Sequence, residues 1–131
     1  MGTIPVVKKE LLDAWKDHLA IGEQELLPMQ IAGEDYVLIR TLKTYSNVLN
    51  QKASSIRRLK DGTIYEIEKY VFLPSVYDLP SMFMIEELPS CTFINEVLAS
   101  KLKAQLGDEI QLEECEVKDH GFFAKILSKR L

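Results

Sequence analysis

The chain has 131 residues, 47% of them hydrophobic and 27% charged, with a formal net charge of −4 at pH 7. That length and composition suit one domain with a real hydrophobic core and exclude a disordered chain, which lacks the apolar residues to build one. The acidic balance weighs against nucleic acid and anionic membrane surfaces as partners, because both are held mainly by Lys and Arg. Cys91 and Cys115 are too few for a disulfide framework. Met1–Glu10 lacks the charged-then-apolar order of a secretory leader, and no apolar run approaches the ~20 residues of a membrane helix. A cytoplasmic protein with both thiols reduced is the expectation.

From the N-terminus, Lys8–Ile21 reads as an amphipathic helix, with Leu11, Leu12, Trp15 and Leu19 on one face and Gly22 as its stop. Glu23–Gly33 carries Pro28 and Gly33 and reads as irregular chain or a short strand. Tyr36–Leu42 is a strand by composition, apolar on both sides until Arg40, and so is expected at the centre of a sheet. Ser46–Gln51 is polar and reads as a short turn or helical piece. Asp61–Gly62 separates two strand-like runs, which predicts a hairpin of Ile56–Lys60 with Thr63–Leu73 closed by a type I′ turn.

Pro74, Pro80 and Pro89 then punctuate a loop-rich region around a short strand at Met82–Ile85. Thr92–Ile94 is a further strand leading into a helix. Asn95 is that helix's N-cap, Leu98, Leu102 and Leu106 its buried stripe, and Gly107 its stop. In Glu109–Val117 the apolar parity changes between Ile110/Leu112 and Cys115/Val117, which predicts a bulge near Glu113–Glu114. Phe122, Phe123, Ile126 and Leu127 stand at helical spacing and predict a short closing helix. No repeat or composition break divides the chain, so residues 1–131 read as a single domain of class α+β. Its mostly antiparallel sheet would have about five or six strands, packed against two or three helices.

Residues with chemistry to offer are sparse. His18 and His120 have no partner at metal-ligand spacing, and a surface or helix-end role is the expectation for both. The two cysteines form no CxxC pair; Cys91 precedes the predicted helix start, but a small buried hydrophobe is the favoured role for each. No Ser-centred nucleophile motif and no Gly-rich phosphate loop is present. No residue is therefore assigned a catalytic role, and no metal or cofactor is expected.

The charge pattern is more informative. Asp108, Glu109, Glu113, Glu114, Glu116 and Asp119 stand against the single base Lys118. Such a run is ordinarily a solvated face; as a functional feature it is a docking patch for a basic partner, with Glu109, Glu113, Glu114 and Glu116 as its contact residues. Arg57, Arg58 and Lys60 form a candidate counterpatch, through which the chain could also bind itself. Tyr77, Met82, Phe83 and Met84 are core by default, and any exposed member would be an interface anchor.

Four segments taken together carry a resemblance: YVLIRTL at Tyr36–Leu42, VLNQKAS at Val48–Ser54, SMFMIE at Ser81–Glu86 and CTFINEVLASKL at Cys91–Leu102. Over about residues 36–117 the chain resembles an immunity-protein family of bacterial polymorphic-toxin systems, formerly a domain of unknown function. The marked positions are Tyr36, Leu49, Ser54, Phe83, Phe93 and Leu98. The chain departs from the family pattern at Asn50, where Asp is common, at Asn95, where Ser is usual, and after Gly107. The resemblance implies a non-catalytic, cytoplasmic inhibitor that binds a cognate protein toxin, whose basic active-site cleft the acidic run would fit. The alternatives are an accessory or self-associating structural subunit, forming a homo-oligomer, and a small enzyme with dispersed catalytic residues.

Overall fold

A computed structural model of the chain describes residues 5–12, 16, 23–89, 91–107, 110–117 and 120–127. The first strands are β1 (Val6–Lys8), β2 (Gln24–Ile31), β3 (Glu34–Thr41) and β4 (Thr44–Tyr45). They are followed by β5 (Ser55–Arg58), β6 (Ile64–Lys69), β7 (Val71–Phe72), β8 (Met82–Ile85) and β9 (Phe93–Ile94). Helix α1 (Glu96–Leu106), β10 (Leu112–Val117) and β11 (His120–Ile126) follow. The strands form a three-stranded sheet in the order β1-β3-β2, a six-stranded sheet β4-β8-β9-β11-β10-β7, and the hairpin β5-β6. Within the six-stranded sheet, β4–β8 and β10–β7 are parallel and the other pairs antiparallel.

This overturns the expected α+β class with two or three helices. The protein is mostly β, and α1 is the one α-helix of any length among the described residues. Three local reasons account for the difference. First, Glu23–Gly33 reads as broken because of Pro28 and Gly33, yet β2 runs straight through. Leu42 N–H donates to Glu23 C=O across the β2–β3 pair (2.8 Å). Alternation from that bond, in the register Leu27↔Leu38 and Pro28↔Val37, turns the Pro28 nitrogen toward the open edge of β2. Its missing N–H therefore costs no ladder bond, and it blunts an edge strand against pairing with other chains. Second, β2 and β3 are joined by a two-residue turn in which Ala32 and Gly33 both have positive φ, +51° and +81°. That is the type I′ geometry the strand twist favours.

Third, the segment expected as a closing helix is β11. It lies inside the sheet, with Phe123 on one face and Ala124 and Ile126 on the other, all buried. A strand covered on both faces loses its polar alternation, and its apolar spacing then passes for a helix. The same cause explains the parity change in β10: Leu112 faces one core and Cys115 and Val117 the other. The irregularity of register falls at Glu116/Val117 rather than near Glu113–Glu114.

The Leu11–Leu19 helix lies largely outside the described residues; within them Lys9–Leu11 form a 3-10 turn, and Lys16 N–H bonds to Leu12 C=O (3.1 Å). Helix α1 matches expectation. The Asn95 side chain accepts the Leu98 N–H (2.9 Å), Leu98, Leu102 and Leu106 are buried, and Gly107 ends the helix at φ +57°. The β5–β6 hairpin also forms, but Asp61 keeps negative φ and only Gly62 is positive (+91°). Leu59 N–H donates to Thr63 C=O (2.8 Å), closing a three-residue loop in place of the type I′ turn. The Asp61 carboxylate accepts the Thr63 N–H (2.9 Å), and that bond holds its pKa below the usual value.

The six-stranded sheet separates two cores. On one face, Met82, Ile94, Ala124 and Ile126 meet α1 and the Val7, Val37 and Ile39 side chains of the small sheet. On the other, Phe72, Phe83, Phe93 and Phe123 pack with Tyr70, Val76 and the hairpin's Ile67. The hairpin is thus held over the second face by its apolar side.

Among the described residues Ala32 is the one place where a non-glycine residue pays for turn geometry in a sheet hairpin, since left-handed backbone costs an L-residue roughly 1–2 kcal/mol. Ala32→Asn should relieve part of that strain and raise the thermal midpoint by about 3 °C. A midpoint that stays put or falls in a calorimetric scan would show that Ala32 is not strained.

Candidate functional site

The most developed surface feature involving the acidic run is a cleft of about 440 Å³ between the hairpin and the second face of the six-stranded sheet. It is lined by Tyr65, Glu66, Ile67 and Glu68 of β6, by Leu88 and Cys91, and by Glu113 and Lys125 of β10 and β11. The floor is set by register. Glu113 and Lys125 are opposite each other in the β10–β11 ladder, and their charges meet at 3.8 Å. Lys125 Nζ also sits 5.2 Å from the centre of the Tyr70 ring, so a cation is held over an aromatic face at the base of the cleft. Ile67 is a core residue at 4% exposure.

On the β6 wall, alternation turns Ile67 inward and Glu66 and Glu68 outward. Arg57, on the neighbouring strand, bridges these two carboxylates: its Nε lies 3.5 Å from Glu66 and donates to Glu68 at 2.6 Å. The two carboxylates hold the Arg57 pKa above its usual value, chiefly through the bond to Glu68. Tyr65 stands beside them, 51% exposed.

Beneath the rim the groups are held neutral. The Tyr70 hydroxyl donates to Cys91 Sγ (3.9 Å), and burial, then Cys91, push its pKa up. Burial pushes the Cys115 thiol up to about 12. A thiol so placed is protonated at neutral pH and is no nucleophile. An ion pair on the floor, carboxylates on the β6 wall and the uncharged Tyr70 and Cys115 beneath make a surface suited to recognition by charge and hydrogen bonding. Among the described residues no three His, Cys, Asp or Glu side chains converge to hold a metal.

The acidic residues singled out in the sequence do not form one patch. Glu113 shares the cleft face with Cys115, while Glu114 and Glu116 point to the opposite face, where Glu114 lines a smaller groove against α1 at Lys103. Glu116 pairs with Lys69 at 3.6 Å. Glu109 and His18 lie outside the described residues; His120 is opposite Val117 in the sheet. Two members of the proposed basic counterpatch have partners: Arg57 is bridged as above, and Arg58 donates to Gln51 (2.9 Å) and to the Gly62 carbonyl (3.1 Å). Of the candidate anchors, Met82 and Phe83 are buried and Tyr77 is 49% exposed. In the sequence Glu66 and Glu68 alternate with Tyr65 and Ile67 along the second arm of the hairpin; nothing local signals that they stand near Glu113. Among the described residues no helix is long and apolar enough to cross a membrane.

Comparison with protein-family models, with characterised proteins and with solved structures finds no match to this chain.

Proposed function

We propose that this chain is a non-catalytic protein-binding module of the cytoplasm, an immunity protein that neutralises a cognate bacterial toxin by docking on it. The observation that carries the reading is the concentration of exposed carboxylates around β6 and β10. Glu66, Glu68 and the half-buried Glu113 line the cleft against Arg57 and Lys125, with Tyr65 exposed beside them, and Glu114 and Glu116 stand on the other face of β10, the latter against Lys69. Carboxylates in surplus steer a basic partner into encounter and select its orientation, and an exposed tyrosine supplies buried area on contact. A toxin with a basic active-site cleft fits that surface, and the resemblance over residues 36–117 points the same way.

The test is capture of the partner from host lysate by the tagged protein, at low and moderate salt. One stoichiometric partner, weakened by salt, is expected, and it should be released by combined Glu113→Lys, Glu114→Lys and Glu116→Lys reversal. Binding that survives the reversal would sink the acidic-docking reading.

A further inference from the structure

Asp61–Gly62 places the hairpin, and it also carries a reaction of its own. It is the one Asp–Gly step in the chain, and the sequence has no Asn–Gly step. The Gly62 nitrogen can attack the side-chain carboxyl carbon of Asp61. A C–N bond forms, a C–O bond breaks, and the carboxyl OH departs as water with the proton from nitrogen. Water then opens the cyclic imide at either carbonyl. One opening returns aspartate; the other leaves isoaspartate, in which the main chain runs through the side-chain carboxyl carbon. The net change is an isomerisation with water as the only co-reactant. Glycine has no Cβ to crowd the attacking nitrogen. Both residues are exposed at the hairpin tip, so water reaches them.

The folded loop holds the reacting atoms apart. Gly62 N–H donates to Leu59 C=O (2.9 Å) and Leu59 N–H to Thr63 C=O (2.8 Å). Leu59–Gly62 is therefore a β-turn with Asp61 third, and with φ not positive at Asp61 the turn is type I. Ring closure needs the Gly62 nitrogen to swing about the Asp61 Cα–C bond until it eclipses Cβ, roughly 120° from the turn value of ψ. That swing breaks the bond to Leu59. The Asp61 carboxylate meanwhile accepts the Thr63 N–H (2.9 Å). This bond fixes the side chain and favours the ionised carboxylate, from which oxygen is hardest to expel. The fastening is local. β5–β6 is a sheet of only two strands, seated on the second core by Ile67 with Ile56 and Ile64 against it. Two strands have little stability of their own, so opening the loop costs less than unfolding the protein.

We propose that Asp61–Gly62 is a site of spontaneous isomerisation gated by the hairpin loop: the imide closes only in chains whose loop bonds have opened. Each isoaspartate lengthens the main chain at the loop, so the type I turn cannot close again. The strand carrying Tyr65, Glu66 and Glu68 at the cleft is thereby loosened. The gating is independent of what the chain binds.

The test incubates the intact protein at neutral pH, folded and in urea above its unfolding midpoint. Trypsin then releases residues 61–69 as one peptide, whose two forms are separated by chromatography and distinguished by electron-transfer fragmentation. Isoaspartate should accumulate at least about tenfold more slowly in the folded chain than in urea. Asp61→Asn closes the same ring with loss of ammonia in place of water and should show the same ratio. Ile67→Ala, which weakens the hairpin's seat, should raise the folded rate at least about threefold. Leu102→Ala, in the first core, should lower global stability and leave the folded rate within about twofold. Ile64→Ala serves should Ile67→Ala fail to fold. In the isoaspartate fraction the Leu59 and Gly62 amides should exchange at least about tenfold faster. Equal rates folded and in urea, no isoaspartate in either, or equal acceleration by Ile67→Ala and Leu102→Ala would each overturn the proposal. Unchanged amide exchange in the modified fraction would overturn the loosening.

Discussion

Phe72→Ala should destabilise the protein by about 3–5 kcal/mol, the cost of deleting a fully buried aromatic side chain whose neighbours cannot collapse into the space. Phe72 is 0% exposed, and its ring makes edge-on contacts with Phe83 (5.9 Å), Phe93 (5.3 Å) and Phe123 (6.0 Å). Each partner comes from a different strand of the six-stranded sheet, so the ring joins β7 to β8, β9 and β11 at once. Phe83 and Phe93 are themselves stacked at 5.6 Å, which leaves little freedom to close a void. Against a total stability of roughly 5–15 kcal/mol for a typical domain, the loss is a large fraction. Urea unfolding followed by far-UV circular dichroism measures it directly. Phe72→Leu keeps much of the volume and should cost clearly less. A Phe72→Ala loss below about 1 kcal/mol would mean that the aromatic cluster is not where the second core is held together.

Stability should also fall on the alkaline side, beginning near pH 9. Cys115 is 1% exposed, and burial raises its thiol from the usual 9.0 to about 12. Between those values the unfolded chain has lost the proton and the folded chain keeps it. The folded state thus binds more protons, and stability declines as pH rises. The contribution is fully present below pH 9 and is lost progressively toward pH 12, at about 1.4 kcal/mol per pH unit from this group. Tyr70, raised from 10.0 by burial, and Tyr45, raised to about 12 by burial and by the bond to Glu23, act in the same direction at higher pH. Urea midpoints at pH 8, 9, 10 and 11 should be level and then fall. In Cys115→Ala the decline between pH 9 and 10 should largely vanish, whereas the decline above pH 10 remains. An unchanged slope in that variant would assign the alkaline loss to other groups.

Acidic surface and buried thiol chemistry meet in one strand. Within β10, Glu113 and Cys115 share a face two residues apart, one on the floor of the cleft and one in the core. The Glu113 charge adds to burial in raising the Cys115 thiol. Charge reversal at Glu113 therefore changes the cleft and the alkaline profile together, whereas reversal at Glu114 changes neither the cleft lining nor the thiol's surroundings on that face.

Features governed by a few consecutive residues were legible in the chain. Asn95, the Leu98/Leu102/Leu106 stripe and Gly107 define α1 because capping and turn-to-turn packing are settled within a span of about four residues. Asp61–Gly62 places the hairpin for the same reason, though the loop length depended on where the ladder bonds closed. The short strands at Met82–Ile85 and Phe93–Ile94 followed from apolar runs between breakers. Tertiary structure decided the rest. Whether Pro28 broke a strand depended on which side of β2 was an edge, and whether Phe123–Ile126 was helix or strand depended on cores on both faces of the sheet. The acidic run was visible as composition, but strand alternation splits Glu113 from Glu114 and Glu116, and only folding brings Glu113 to the cleft that Glu66 and Glu68 also line. Local sequence fixes backbone geometry through bonds a few residues long; a surface is made of residues far apart in the chain, and their proximity is set by packing that no short window of sequence contains.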